Sequence, residues 1–194
     1  MNEIPDMKTP EICFEDTYVY GIEQSVKASG LPKRKDDVSY DRAIRLGSCT
    51  PGTGHDCYLK GITVQTTITA AQYWWLQWQR YHFCDIVSSE SKMHTIQSMD
   101  FDEQCNWYVN AGIIGILHQL VQEYDDNPSK EAFQRIIANV PMGLMLRARI
   151  TTNYLQLKTM IIQRRNHKLV EWRNFCRWAA HLPHFSQLTG LIPV

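Results

Sequence analysis

The sequence has no excess of either charge: its 194 residues carry 20 Lys and Arg against 20 Asp and Glu. A neutral chain exerts no general pull on nucleic acid or on an acidic membrane surface. No apolar run approaches the roughly 20 residues that span a bilayer. The opening stretch, MNEIPDMKTPEICFED, is acidic and lacks an apolar signal segment. There is no internal repeat and no low-complexity tract. The six cysteines, at 13, 49, 57, 84, 105 and 176, form no CxxC pair and no zinc-finger spacing, and are read as reduced thiols. No HExxH or paired-His metal motif is present, and no Ser-His-Asp or Cys-His order is arguable. These absences set the expectation of a soluble cytoplasmic protein without a membrane or nucleic-acid partner, a metal or an evident protein nucleophile.

Hydrophobic residues make up 44% of the chain, enough for a core, and the length suits one domain over residues 1–194. Residues 12–20 (ICFEDTYVY) and 60–69 (KGITVQTTIT) are β-branched or aromatic and read as strands. A short helix is expected over 22–29, a charged surface excursion over 31–41, and one or two helical turns over 41–47. Three glycines and a proline make 47–54 a loop. Residues 69–82 read as a helix with Thr69 as N-cap. Residues 107–126 read as a long helix, apolar on most sides and therefore largely buried. Ser129 caps a short helix through Ile137, and VPMGL breaks the chain again. Residues 151–167 are expected as a helix entered through TTN, and 169–182 as the last helix. Strands first, then mostly helices, favour an α+β fold.

Three segments carry candidate chemistry. In QWQRYH (77–82), a helical reading places Gln77, Arg80 and Tyr81 together, an amide, a guanidinium and a phenol suited to a planar ring and a phosphate. The alternative is an amphipathic helix whose arginine reaches for solvent. SSESKMH (88–94) holds hydroxyls and a lysine that suit phosphate binding, and equally an ordinary loop. On the 151–168 segment, Gln156, Gln163, Arg164 and His167 share a face, with Lys158, Arg165 and Lys168 adjacent. That cation cluster reads either as an anion site or as a solvated face. His55, after the glycine loop, reads as a phosphate-cradle residue or as a plain turn. The remaining Met and Trp residues are expected in the core. Anion- and ring-binding groups without a nucleophile suit an enzyme whose cofactor performs the chemistry.

Taken together these segments resemble the flavin-dependent thymidylate synthase family. Gly54-His55 precedes the 60–69 strand, as in the family. The family's Gln-Trp-x-Arg-His-Arg signature reads here Gln77-Trp78-Gln79-Arg80-Tyr81-His82. A proline, a threonine turn, an Asn opening a helix, an Arg and a Trp follow as Pro141, Thr151-Thr152-Asn153, Arg164-Arg165 and Trp172. The similarity runs from about residue 47 to 182. The departures are specific. One cation of the signature is lost, and its central imidazole is the phenol of Tyr81. The family continues with a Ser, an Asn-Glu pair and a Ser-x-Arg; without a gap Asp85, Val87, Ser88, Glu90 and Lys92 occupy those positions, and with a slip of one residue Ser88, Ser89 and Ser91 fall there and Met93 replaces the Arg. The acidic residue after Gly-His is Lys60, and Arg135 matches the family's Arg before the proline only loosely.

The resemblance implies an α+β fold with a small antiparallel or mixed sheet and several long helices, and a homotetramer with active sites between subunits. It implies FAD as cofactor, NADPH as reductant and methylenetetrahydrofolate as donor of a one-carbon unit to C5 of dUMP. Carried over residue by residue, Gln77 faces the uracil or its ribose, and Arg80 lies between nucleotide phosphate and flavin. His55, Tyr81, His82, Asn153 and His167 fall on the FAD side. Ser88, Ser89, Ser91 and Lys92 hold the dUMP phosphate. Arg165, or Arg164 in its place, meets the pyrimidine during reaction. Another pyrimidine nucleotide, such as UMP or dCMP, and a non-catalytic flavin- or nucleotide-binding homologue are the other two readings.

The zero net charge is a sum of unlike parts. From residue 140 onward there are eight Lys and Arg and one acid, Glu171; the first 139 residues carry 12 bases and 19 acids. Cations gathered toward the C-terminal helices are expected to serve small anionic ligands.

Overall fold

The computed structural model describes residues 2–34 and 38–192; part of the expected 31–41 excursion lies outside them. Two short strands, β1 (Asn2–Ile4) and β2 (Met7–Lys8), lead into β3 (Ile12–Tyr20), followed by helices α1 (Ile22–Ala28) and α2 (Tyr40–Gly47). A 3-10 turn at Cys57–Gly61 precedes β4 (Thr63–Ala71), α3 (Gln72–Trp78) and β5 (Asp85–Ser89). Then come α4 (Lys92–Thr95), α5 (Phe101–Gln104), α6 (Ala111–Asp126) and α7 (Lys130–Asn139). The chain closes with β6 (Met145–Asn153), α8 (Tyr154–Arg164), α9 (Val170–Ala180) and α10 (Phe185–Thr189). The fold is α+β. The sheet order is β1-β3-β4-β6-β5, β2 also pairs with β3, and every pair is antiparallel.

Alternation decides which face of the sheet is covered. Ile12 and Phe14 of β3, Val64 and Ile68 of β4, and Ala148 and Ile150 of β6 are buried. Against them pack Trp74 and Trp78 of α3, Leu157 and Met160 of α8, and Trp172 and Phe175 of α9. Trp74 lies 5.1 Å from Trp78 and 4.9 Å from Trp172, ring centroid to centroid. A second apolar cluster, including Phe101, Leu117, Leu120 and Ile136, joins α5, α6 and α7.

Several expectations are corrected. The strand expected at 60–69 persists to Ala71, where Thr69 pairs with Cys13 and Arg147 instead of capping a helix. Helix α3 starts at Gln72, where the backbone N–H groups of Gln72 and Tyr73 bond the carbonyls of Leu144 and Met142. It ends at Trp78, so Arg80, Tyr81 and His82 lie beyond it and not on a helical face with Gln77. Strand β6 occupies residues expected as a break and a helix entrance. Asn153 ends the strand and caps α8, its side chain accepting from Gln156 N at 3.0 Å. The long helix starts at Ala111, where Asn110 caps it, and buries only Leu117 and Leu120. Its local apolarity outruns the partners this chain supplies. Helix α10 follows the helix expected to be last. Trp107 is 67% exposed, and Met93 and Met142 are exposed too, against a core expectation. The helix capped by Ser129 forms, with Ser129 Oγ accepting from Ala132 N at 3.1 Å.

Candidate functional site

The ends of α3 and α8 and the start of α9 bring several polar side chains together. Trp172 Nε1 donates to Gln77 Oε1 at 2.9 Å, and Arg164 Nη1 donates to the same oxygen at 3.2 Å. Arg164 Nε donates to the Tyr81 hydroxyl at 2.7 Å, and that hydroxyl donates to Gln163 Oε1 at 3.1 Å. The guanidinium stands 4.7 Å from the Trp172 ring centroid and 5.5 Å from that of Tyr81, within cation–π range. Trp172 is fully buried, whereas Trp74 and Trp78 leave their indole N–H groups without a partner. The one fully buried indole of this group that reaches a side-chain acceptor thus reaches Gln77.

His167 caps this cluster. Its ring lies 6.3 Å from Trp172, and its Nδ1 accepts from Leu169 N at 3.1 Å. Burial first, then the charges of Arg164 and Arg173, hold the imidazole below its usual pKa. It is therefore neutral at pH 7. Arg165 is exposed and has no partner among the described residues, in contrast to its fully engaged neighbour Arg164. The adjacent cationic face expected for Lys158, Arg165 and Lys168 does not form as such: Lys158 turns inward, onto Asp56.

The other candidates fall in different places. Asn153 and Gln156 line a cavity of about 290 Å³ with Lys60, Phe83, Leu155 and Thr159. Ser88 and Ser89 lie on β5 and line a wider cavity of about 1220 Å³ with Thr67, Thr69, Arg147 and Arg149. Lys92 is tied to the Gln72 side-chain oxygen, and burial lowers its pKa. Ser91 is half-buried; its carbonyl accepts from Thr95 Oγ1 at 3.0 Å. His55 and Arg80 are exposed without a side-chain partner among the described residues, and His82 meets Phe83 edge-on at 5.2 Å. No residue is common to the polar cluster and the two cavities.

Arg147 and Arg149 did not stand out in the sequence, because their strand did not. Arg149 Nη1 donates to the Asp16 carbonyl at 2.6 Å and pairs with Asp16 Oδ2 at 2.9 Å. Asp16 has a φ of 52° and sits at a register shift between β3 and β4. The outward alternation of Arg147, Arg149 and Thr151 was the available signal. All six cysteines are free; burial pushes Cys84 and Cys176 up to about 12. No group of three or more His, Cys, Asp or Glu able to hold a metal occurs among the described residues. Among them, no helix is long and apolar enough to cross a membrane.

An open antiparallel sheet with one face covered by α3, α8 and α9 is the architecture on which these sites are mounted. That architecture is the fold of flavin-dependent thymidylate synthases. A crystal structure of thymidylate synthase X from Helicobacter pylori with FAD and dUMP superposes with a TM-score of 0.68, 13% identity, and 92% of this chain and 96% of that chain covered. A second Helicobacter pylori structure, complexed with FAD and dUMP, gives 0.69 and 13%, covering 92% and 97%. No family model and no curated protein matches the sequence.

Proposed function

We propose that the chain is a flavin-dependent thymidylate synthase, transferring a one-carbon unit from methylenetetrahydrofolate to C5 of dUMP with NADPH as reductant. The observation that carries this reading is the Gln77–Arg164–Trp172 cluster, mounted on a fold shared with proteins whose structures hold FAD and dUMP. The low identity of those neighbours makes the residues, not the likeness, the weight of the argument.

FAD fits the residues present. Lys60 supplies a cation, Phe83 an exposed ring, and Asn153 and Gln156 amides around the smaller cavity. At about 290 Å³ that cavity is near the lower limit of small-molecule sites and holds part of a dinucleotide. The remainder would lie against His55, His82 and Arg80, or against a second chain. The proposal carries with it a homotetramer with active sites between subunits, acting in the cytoplasm. When bound, FAD supplies the redox and one-carbon chemistry for which the chain has no nucleophile of its own. Gln77 orients the pyrimidine, and Ser88 and Ser89 hold its phosphate. Arg165, free of internal partners, stabilises negative charge developing on the ring. The nearby neutral His167 adds no competing positive charge.

A second reading keeps the chemistry and changes the nucleotide to UMP or dCMP. What motivates it is the departure of residues 85–94 from the family pattern; the tie of Lys92 to Gln72 bears on the phosphate, which all three nucleotides share. One experiment tests both readings. The purified protein is mixed with FAD, its visible spectrum is recorded after gel filtration, and, with NADPH and methylenetetrahydrofolate added, products from dUMP, UMP and dCMP are weighed by mass spectrometry. Retained flavin and a mass gain of one methyl on dUMP are expected. A colourless protein that converts none of them would defeat the proposal.

A further inference from the structure

Four tryptophans form one continuous series of rings against the sheet. Trp74 stands 5.1 Å from Trp75, 5.1 Å from Trp78 and 4.9 Å from Trp172, centroid to centroid. Trp172 stands 5.9 Å from the ring of Tyr81. All these spacings are those of aromatic rings in contact. Trp75 is 7% exposed and the other three indoles are fully buried, whereas Tyr81 is half-buried. Indole and phenol rings are oxidised by loss of a single electron, and rings in contact exchange one.

Polar surroundings decide where such a loss settles. An oxidised indole is a cation until its N–H proton leaves. The N–H groups of Trp74 and Trp78 have no partner, and those of Trp75 and Trp172 donate to the carbonyl oxygens of Leu146 and Gln77, which are not bases. The positive charge would stay buried and uncompensated. Trp172 suits it least, because the permanently cationic Arg164 stands 4.7 Å from its ring centroid. An oxidised phenol sheds its proton and is neutral. Tyr81 donates to Gln163 Oε1 at 3.1 Å, and Gln163 is exposed, so water can take that proton. Arg164 Nε donates to the Tyr81 oxygen at 2.7 Å, a bond that favours the deprotonated oxygen. One guanidinium thus repels positive charge from the indole and accommodates a neutral radical on the phenol.

We infer that Tyr81 is a redox-active residue, the exit through which the buried tryptophans discharge one-electron oxidation. A radical-type oxidant takes one electron from an indole and is reduced. The Tyr81 phenol returns one electron to the indoles through Trp172 and loses one proton to water at Gln163. The indoles are restored, and a neutral tyrosyl radical remains at Tyr81. Where the family's signature has an imidazole, a ring harder to oxidise, this chain has the phenol, so the role follows from a departure from the family. No flavin or nucleotide takes part, so a failure here and a failure of the proposed function are distinguishable.

The test is ultraviolet flash photolysis of the full chain, which ejects electrons from tryptophans, with a cobalt(III) ammine in solution to capture them irreversibly. Trp107 is exposed and lies 4.1 Å from Tyr108, a separate indole–phenol pair, so Trp107→Phe is the background for every sample. Transient absorbance follows decay of the tryptophan radical and growth of the tyrosyl radical. In the background protein the two phases are expected to coincide, at a first-order rate independent of protein concentration. Tyr81→Phe is expected to lose the growth phase and to leave a longer-lived tryptophan radical. Tyr73, whose phenol donates to Glu171, is the rival exit, and Tyr73→Phe is expected to keep the growth phase. Absence of tyrosyl growth in the background protein, or growth that survives Tyr81→Phe, overturns the inference. Circular dichroism checks the fold; should Tyr81→Phe not fold, Tyr81→His takes its place, with the same loss expected and the same survival overturning.

Discussion

Lys158 Nζ lies 2.6 Å from Asp56 Oδ2, and both side chains are 2% exposed. The same ammonium donates to the Gly47 carbonyl at 2.8 Å and to the Cys49 carbonyl at 2.6 Å. Three donors meet three acceptors, so the buried charge is fully satisfied. The pair ties helix α8, which carries Asn153 at one end and Arg164 at the other, to the loop that carries His55.

Lys158→Met is expected to lose about 3–5 kcal/mol of stability, because it leaves the Asp56 charge buried without a partner. Urea unfolding followed by tryptophan fluorescence measures this. Lys158→Met combined with Asp56→Leu is expected to recover part of the loss. A single variant within about 0.5 kcal/mol of wild type would contradict the assignment.

Gly47 has no room for a side chain. A Cβ there would stand 1.9 Å from the Leu188 carbonyl oxygen and 2.6 Å from the Tyr58 hydroxyl. Backbone cannot yield as a flexible side chain does, so Gly47→Ala is expected to cost at least about 2 kcal/mol by overpacking. The same unfolding experiment reads it, with Gly115→Ala as control, since nothing lies near that site and its backbone is not left-handed.

His167 has a folded-state pKa below the ordinary 6.5. Between the two values the unfolded chain binds more protons, so stability is expected to rise with pH through this window and to level off above 6.5. As pH falls, protonation sets a cation beside Arg164, Arg173 and Lys168, relieved only by Glu171, and ends the acceptance from Leu169 N. His167→Asn is expected to flatten the slope of melting temperature against pH from 5 to 7. An identical slope in the variant would assign the dependence elsewhere.

Arg165 and Arg164 are distinguished by their surroundings. Arg165→Ala is expected to lower kcat by about a hundredfold or more while the flavin spectrum stays unchanged. Arg164→Ala is expected to lower the melting temperature as well, because it releases Gln77 and Tyr81 together. Full activity in Arg165→Ala alongside an inactive but folded Arg164→Ala would move the role by one residue.

Much of this was legible locally. β3 was readable from its β-branched and aromatic residues, α7 from Ser129, and the entry to α8 from Asn153, because propensity and capping are short-range chemistry. Gln77, Gln163, Arg164 and His167 were recognisable as residue types that bind rings and anions. Strand β6 was not, since its inward positions include the small Ala148 and its partners in β4 lie some 80 residues away. Missing it hid Arg147 and Arg149.

Composition and local pattern determined the α+β class, most elements and the residues from which a site could be made, because those follow from side-chain chemistry within a few turns of chain. Tertiary structure decided the rest. It ended α3 at Trp78, left most of α6 uncovered and turned Lys158 inward to Asp56. It also aimed two obligate donors, from Arg164 and Trp172, at one oxygen of Gln77. The direction of a hydrogen bond between residues 87 and 95 positions apart depends on which surfaces meet, and no local pattern encodes that meeting.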